Sequence, residues 1–178
     1  MKTNILSKII ALLLLLLLSP LFILVIILIF FEDGSPFFFK QRRIGRYNSN
    51  FLIYKFRTMK KGTPDIPTHL IKNRRSLYTR IGPYLRKLSI DELPQLINII
   101  KGEMVFIGPR PALYNQFDLI DDRTKNGLDK LFPGVTGWAQ INGRDSLSLK
   151  EKVLLDKYYL DNLSFSLKIK ILFLTIFK

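Results

Sequence analysis

One feature limits this chain's fold more than any other: from Ile9 to Phe31 there are twenty-three residues without a charge. At ~1.5 Å per residue a straight helix of that length would cross the ~30 Å hydrocarbon core of a bilayer. A cleaved leader fits less well, because no small-x-small site comes after the run and its length exceeds an ordinary leader core. At the midpoint stands Ser19-Pro20. Proline removes a backbone donor and clashes with the carbonyl four residues back, so a kink is expected, with the Ser19 hydroxyl available to bond the released carbonyl. Each half is then about eleven residues, ~16 Å, or half a bilayer. Two readings stay open from the residues: a kinked spanning helix, or a re-entrant hairpin that enters and leaves by one face. Basic residues on both flanks, Lys2 and Lys8 before and Lys40, Arg42, Arg43 and Arg46 after, favour the hairpin with both ends cytoplasmic.

With that segment set aside, 178 residues leave room for one soluble domain of modest size. The formal charge is +14, and between Lys40 and Lys87 fourteen Lys or Arg residues face a single acid, Asp65. Such a stretch binds anions or lies against an acidic membrane surface. Cysteine is absent, which excludes disulfides, thiolate zinc sites and a cysteine nucleophile. The single histidine, His69, stands in a polar stretch without an evident partner and reads as a surface residue. Catalysis here would run on carboxylates, hydroxyls or cations.

Past Gly34-Ser35-Pro36, the runs Phe37 to Gln41 and Phe51 to Met59 flank the turn-forming Tyr47-Asn48-Ser49-Asn50 and predict a two-stranded hairpin. Segment 60–79, with Gly62, Pro64 and Pro67, predicts a loop. Ser89-Ile90-Asp91-Glu92 has the form of a capping box, followed by Leu93, Leu96, Ile97 and Ile100 at helical spacing and a stop at Gly102. Pro94 delays or distorts the first turn of that helix. Met104 to Ile107 predicts a short strand leading into the rigid Gly108-Pro109-Arg110-Pro111, and a Gly-rich loop runs from Pro133 to Trp138. A helix capped by Ser148 and Glu151 runs toward Tyr158 and Tyr159. The tail from Leu163, with Lys168, Lys170 and Lys178 among large apolar residues, predicts an interfacial amphipathic helix.

Adjacent carboxylates at a helix start, Asp91 and Glu92, are either ordinary first-turn acids or a site whose anions the helix end stabilises. Arg80 and Arg86 lie upstream, Arg110 is held between prolines, and Arg144 follows a Gly-rich loop. Guanidinium groups fork onto phosphate oxygens, so these placements favour the second reading.

Lys55-Phe56-Arg57-Thr58-Met59, Ser89 to Gln95, Gly108 to Pro111 and Pro133 to Arg144 together resemble the signature of bacterial sugar transferases, the monotopic phosphoglycosyl transferases. The similarity runs from about Lys8 to the C-terminus, and four motifs in order are more specific than any one. The resemblance implies an α+β, helix-rich fold with an N-terminal re-entrant membrane helix hairpin kinked at Ser19 and Pro20, interfacial amphipathic helices and a small β-sheet. Residues 1–33 would be membrane-embedded and residues 34–178 a membrane-associated catalytic domain on the cytoplasmic face of the bacterial inner membrane.

It further implies transfer of a phosphosugar from a nucleotide sugar, a UDP sugar by family expectation, to polyprenyl (undecaprenyl) phosphate, initiating glycoconjugate assembly. Asp91 would be the nucleophile that forms an acyl phosphate, and Glu92 would help hold Mg²⁺, a hard cation suited to few carboxylates and bridging phosphates. Arg86, Arg110 and Arg144, with Lys55 and Arg57, are the phosphate-binding candidates. Membrane lipids are expected partners and nucleic acid is not; a homodimer is compatible with the spacing, which does not demand one. Without the extra N-terminal membrane helices of larger relatives, the chain reads as a minimal form. Two other classes compete. Arg42, Arg43, Tyr47, Tyr54, Lys55 and Phe56 interleave cations with aromatics, as in a membrane-tethered nucleic-acid-binding module, and a non-enzymatic scaffold would use the same cations on acidic lipids.

Overall fold

The computed structural model describes residues 5–63, 74–143 and 146–177. The apolar run and its flanks form two helices, α1 (Ile5–Leu17) and α2 (Ser19–Asp33), bent by 60° at their junction. Pro20 lies in the first turn of α2, and the Ser19 hydroxyl donates to the Leu16 carbonyl at 2.8 Å, the acceptor that Pro20 cannot serve. Among the described residues no single helix is long and apolar enough to cross a membrane, although the bent pair passes that test as a unit.

The pair has an inner and an outer face. Ala11 packs with Phe51, Ile53, Leu96, Ile99 and Met104, and Phe22, Val25 and Ile29 pack with Phe56 and Leu85, so both main cores combine the bent pair with the domain beyond Gly34. Leu13, Leu17, Ile23, Phe30 and Phe31 stay exposed on the other side. Two acids at the end of α2 fasten it to the rest. The Glu32 carboxylate accepts from the Arg80 and Ile81 backbone amides at the start of α4 (Gly82–Lys87), and Asp33 accepts from the Lys61 amide at 3.0 Å.

Strands β1 (Phe38–Ile44) and β2 (Asn50–Phe56) form the expected antiparallel hairpin, in register from Phe38 with Phe56 to Ile44 with Asn50. Its turn places Tyr47 and Asn48 at positive φ. Helix α5 (Gln95–Lys101) lies along the free edge of β2. The Asn98 amide donates to Leu52 O and accepts from Tyr54 N, as a neighbouring strand would. A second, separate sheet pairs β3 (Val105–Ile107) in parallel with β4 (Gly134–Thr136), so the single small sheet expected becomes two two-stranded ones. The Gly-rich loop hides β4 because its glycines admit close packing: a Cβ on Gly134 would lie 2.1 Å from Gly108 N, and one on Gly137 2.1 Å from Gly108 O.

Of the loop expected over residues 60–79, the part described includes a single helical turn, α3 (Arg74–Leu77), and a bridge between Met59 and Tyr78. Helix α6 (Phe117–Lys125) was not anticipated, nor was the short α7 (Trp138–Ile141). Helix α8 (Leu149–Asp161) starts with the predicted capping box of Ser148 and Glu151. The tail forms α9 (Phe165–Ile176), which buries Ile171 against Ile141 and Tyr159 while Phe165, Phe173 and Ile176 stay exposed.

Candidate active site

Asp91 and Glu92 lie in a 3-10 turn, Ile90–Glu92, immediately before α5, and both are buried, 6% and 8% exposed. The capping box expected at Ser89 does not form. Ser89 is left-handed at φ 55°, its side chain caps nothing, and its carbonyl accepts from the Glu92 amide at 3.1 Å. Pro94 explains why the α-helix begins only at Gln95. A helix reaching back over Asp91 would drive the proline ring into the Ile90 carbonyl. Two cations lie on Glu92 as well.

Lys55, at the end of β2, donates to Glu92 Oε1 at 2.8 Å, and Arg110 Nη2 reaches the same oxygen at 3.2 Å. Two cations from separate elements thus converge on one carboxylate beside Asp91. Burial pushes the Lys55 pKa down, Glu92 works against that, and Arg110 adds to the depression. The buried Asn98, 0% exposed, ties α5 to the edge of β2 and so sets Lys55 against the turn carrying Glu92.

Arg110 comes from a strap whose successive carbonyls are each held by another part of the molecule. Pro109 O accepts from Gly134 N at 2.9 Å, Arg110 O from Arg123 Nη1 at 2.9 Å, Pro111 O from Arg43 Nη1 at 3.0 Å, and Ala112 O from Ile44 N at 3.0 Å. Arg123, on α6, is itself clamped by Asp156 of α8, whose Oδ2 accepts from Nη2 at 2.6 Å and Nε at 3.1 Å. Asp156 is 1% exposed; burial pushes its pKa up while the Arg123 guanidinium opposes that shift.

The remaining sequence candidates stand elsewhere or in other company. Arg86 donates to the Tyr78 hydroxyl at 2.7 Å, with its guanidinium over the Tyr78 ring. Arg57 is buried at the exit of α2, its Nη2 bonded to the carbonyls of Asp33 and Gly34 and ion-paired with Asp33 at 3.1 Å, while Nε and Nη1 have no hydrogen-bond partner among the described residues. Arg144, His69 and Asp65 lie outside the described residues.

The interleaved aromatics fall in different surroundings. Phe56 is 1% exposed between Phe22 and Phe38, Tyr54 lies under Lys40 and Lys101, and Tyr47 under Arg46. Sequence reasoning missed Arg123, Asp156 and Asn98. Asp156 carried one legible signal: it shares a helical stripe with the buried Val153 and Tyr159, where a carboxylate needs a partner.

Two adjacent carboxylates, with no cluster of three His, Cys, Asp or Glu ligands among the described residues, cannot cage a metal ion. As hard oxygen donors they would suit an ion that completes its shell with other oxygen ligands, as Mg²⁺ does.

The whole chain, residues 1–178, matches the model of the family described as bacterial sugar transferase. It is 46% identical to an uncharacterized sugar transferase, EpsL, of Bacillus subtilis strain 168, over 81% of this chain and 70% of the relative. Identity is 37% to a UDP-N-acetylgalactosamine-undecaprenyl-phosphate N-acetylgalactosaminephosphotransferase of Aeromonas hydrophila, over 79% of this chain but 34% of that protein. It is 38% to the UDP-glucose:undecaprenyl-phosphate glucose-1-phosphate transferase of Escherichia coli K12, over 80% of this chain and 32% of the relative.

Proposed function

The chain belongs to the bacterial sugar transferase family, and we propose that it moves a phosphosugar from a UDP sugar to undecaprenyl phosphate through a covalent intermediate on Asp91. The reaction class rests on the Aeromonas hydrophila and Escherichia coli relatives, whose names state such transfers for them. The observation that carries the residue assignment is the convergence of Lys55 and Arg110 on Glu92 next to the buried Asp91.

An Asp91 carboxylate oxygen attacks the phosphorus bearing the sugar. The bond from that phosphorus to the bridging oxygen breaks, and the nucleoside monophosphate leaves with the electron pair. An oxygen of the polyprenyl phosphate then attacks the same phosphorus and releases the Asp91 carboxylate. That acceptor is already ionised near neutrality, so neither step demands a general base. Lys55 and Arg110 fix the Glu92 carboxylate and supply positive charge where the diphosphate arrives. Mg²⁺, held by Glu92 with Asp91 alongside, would neutralise diphosphate charge when bound.

The bent pair of α1 and α2 is read as the re-entrant hairpin of a protein held on one face of the membrane, with the domain cytoplasmic. Neither helix alone, at 13 and 15 residues, is long enough to cross the ~30 Å core, and with the apolar outer face this supports the reading; the exposed apolar residues of α9 would lie at the same interface. Purified protein in nanodiscs, given Mg²⁺, polyprenyl phosphate and a panel of UDP sugars, should release UMP with one of them. Mass spectrometry should find a phosphosugar adduct on Asp91. An adduct that persists in Asp91→Asn would remove Asp91 as nucleophile, and no release across the panel would remove the activity.

A further inference from the structure

We infer that Arg123 is a positioning residue for this site, acting through the Arg110 backbone with Asp156 as its fixed counter-ion. The inference deepens the phosphosugar-transfer reading and rests on it for the activity measurement alone. A buried carboxylate on α8 orients the Arg123 guanidinium with two hydrogen bonds, and its third nitrogen donates to the carbonyl of Arg110. The residue so held sends its own guanidinium to Glu92. Four residues from four elements therefore form one line: Asp156, Arg123, Arg110 and Glu92.

The local backbone makes that carbonyl worth holding. Arg110 stands between two prolines, which carry no N–H, and the strap from Pro109 to Ala112 has its carbonyls bonded to other elements rather than to itself. No helix or sheet ladder holds the Arg110 carbonyl; the Arg123 guanidinium donates to it. Rotation of the Arg110 peptide plane would swing the base of the Arg110 side chain, and a displacement of about 1 Å at a site that aligns charge is worth ~100-fold in rate. Arg123 serves two acceptors at once because guanidinium is a planar fork; lysine offers charge without that geometry. Arg123 faces Asp156 and the Arg110 carbonyl, not Glu92, so it acts through another residue.

The test is a double-mutant cycle in nanodisc-held protein with backbone amide exchange read at Gly134 and Ile44, whose N–H groups donate to Pro109 O and Ala112 O of the strap. Arg123→Lys should lower kcat/KM for UMP release about 10- to 100-fold with little change in melting temperature, and should speed exchange at those two amides. In an Arg110→Ala background the same change should cost almost nothing further. Losses that multiply across the two backgrounds, or exchange at both amides unchanged by Arg123→Lys, would overturn the inference. Should Arg123→Lys fail to fold, Asp156→Asn, which keeps volume and one acceptor oxygen, runs through the same cycle with the same outcomes. If the wild type releases UMP from no sugar, the transfer reading fails, and amide exchange still decides the role of Arg123.

Discussion

Lys55 is where sequence, burial and activity meet in one side chain. Burial sets its folded pKa below the unfolded value, against the pull of Glu92. Between those two values the unfolded chain carries the extra proton, so stability rises with pH across the window and that gain is lost as pH falls through the folded value. Activity should run the other way, because a neutral Lys55 removes one of the two positive charges seen on Glu92. UMP release should therefore decline at a pH below the ordinary lysine value of 10.5, and Lys55→Arg should move that limb upward. A wild-type profile flat to that pH would contradict the burial argument. Asp91, Glu92, Lys55 and Arg110 stood out in the sequence because each sits in a motif that carries the family resemblance. Arg123 and Asp156 did not, since an arginine on a polar helix and an acid 33 positions later show their pairing only after α6 and α8 pack.

Among the elements, the β3–β4 pair sets how closely the strap approaches the rest. Gly134→Ala would push a methyl to 2.1 Å from Gly108 N, a backbone atom that cannot swing aside. The expected cost is about 3 kcal/mol, read as a lowered midpoint in thermal or denaturant unfolding; a change under ~0.5 kcal/mol would mean the two segments separate freely. The first hairpin was readable from alternating runs around a turn. Strand β4 was not, because a three-residue strand flanked by Pro133 and Gly137 carries turn composition. Helix α6 escaped for a different reason: its three apolar residues, Phe117, Leu119 and Ile120, all fall in its first four positions, so no stripe recurs a turn later to show a period. The Ser89 box misled because Ser-x-x-Glu spacing says nothing about Pro94 two residues past the glutamate.

For the whole molecule, the bend at Ser19-Pro20 joins two helices that share one continuous outer face. Pro20→Leu, with Ser19→Ala to remove the hydroxyl bond to Leu16, should let the pair straighten toward a single helix of spanning length. On the re-entrant reading proposed above, which puts the amino terminus in the cytoplasm, a tag there should then move to the opposite side, read by impermeant labelling of intact cells. A tag that stays cytoplasmic would show that packing on the domain, rather than the proline, decides the bend. The kink was legible from two residues. What the sequence could not reveal was that the inner face of the pair is shared core, because apolar residues facing lipid and apolar residues facing protein look alike in a run of leucines and isoleucines.

That shared core bears on how the enzyme could be handled. Trimming at Gly34, the obvious way to obtain a detergent-free version, would strip Phe56, Leu85, Ile99 and Met104 of their cover and leave Arg57 with no helix end to grip. A water-soluble variant would have to keep both helices and recolour only their outward side, exchanging Leu13, Leu17, Ile23, Phe30 and Phe31 for polar residues while Ala11, Phe22, Val25 and Ile29 stay as they are.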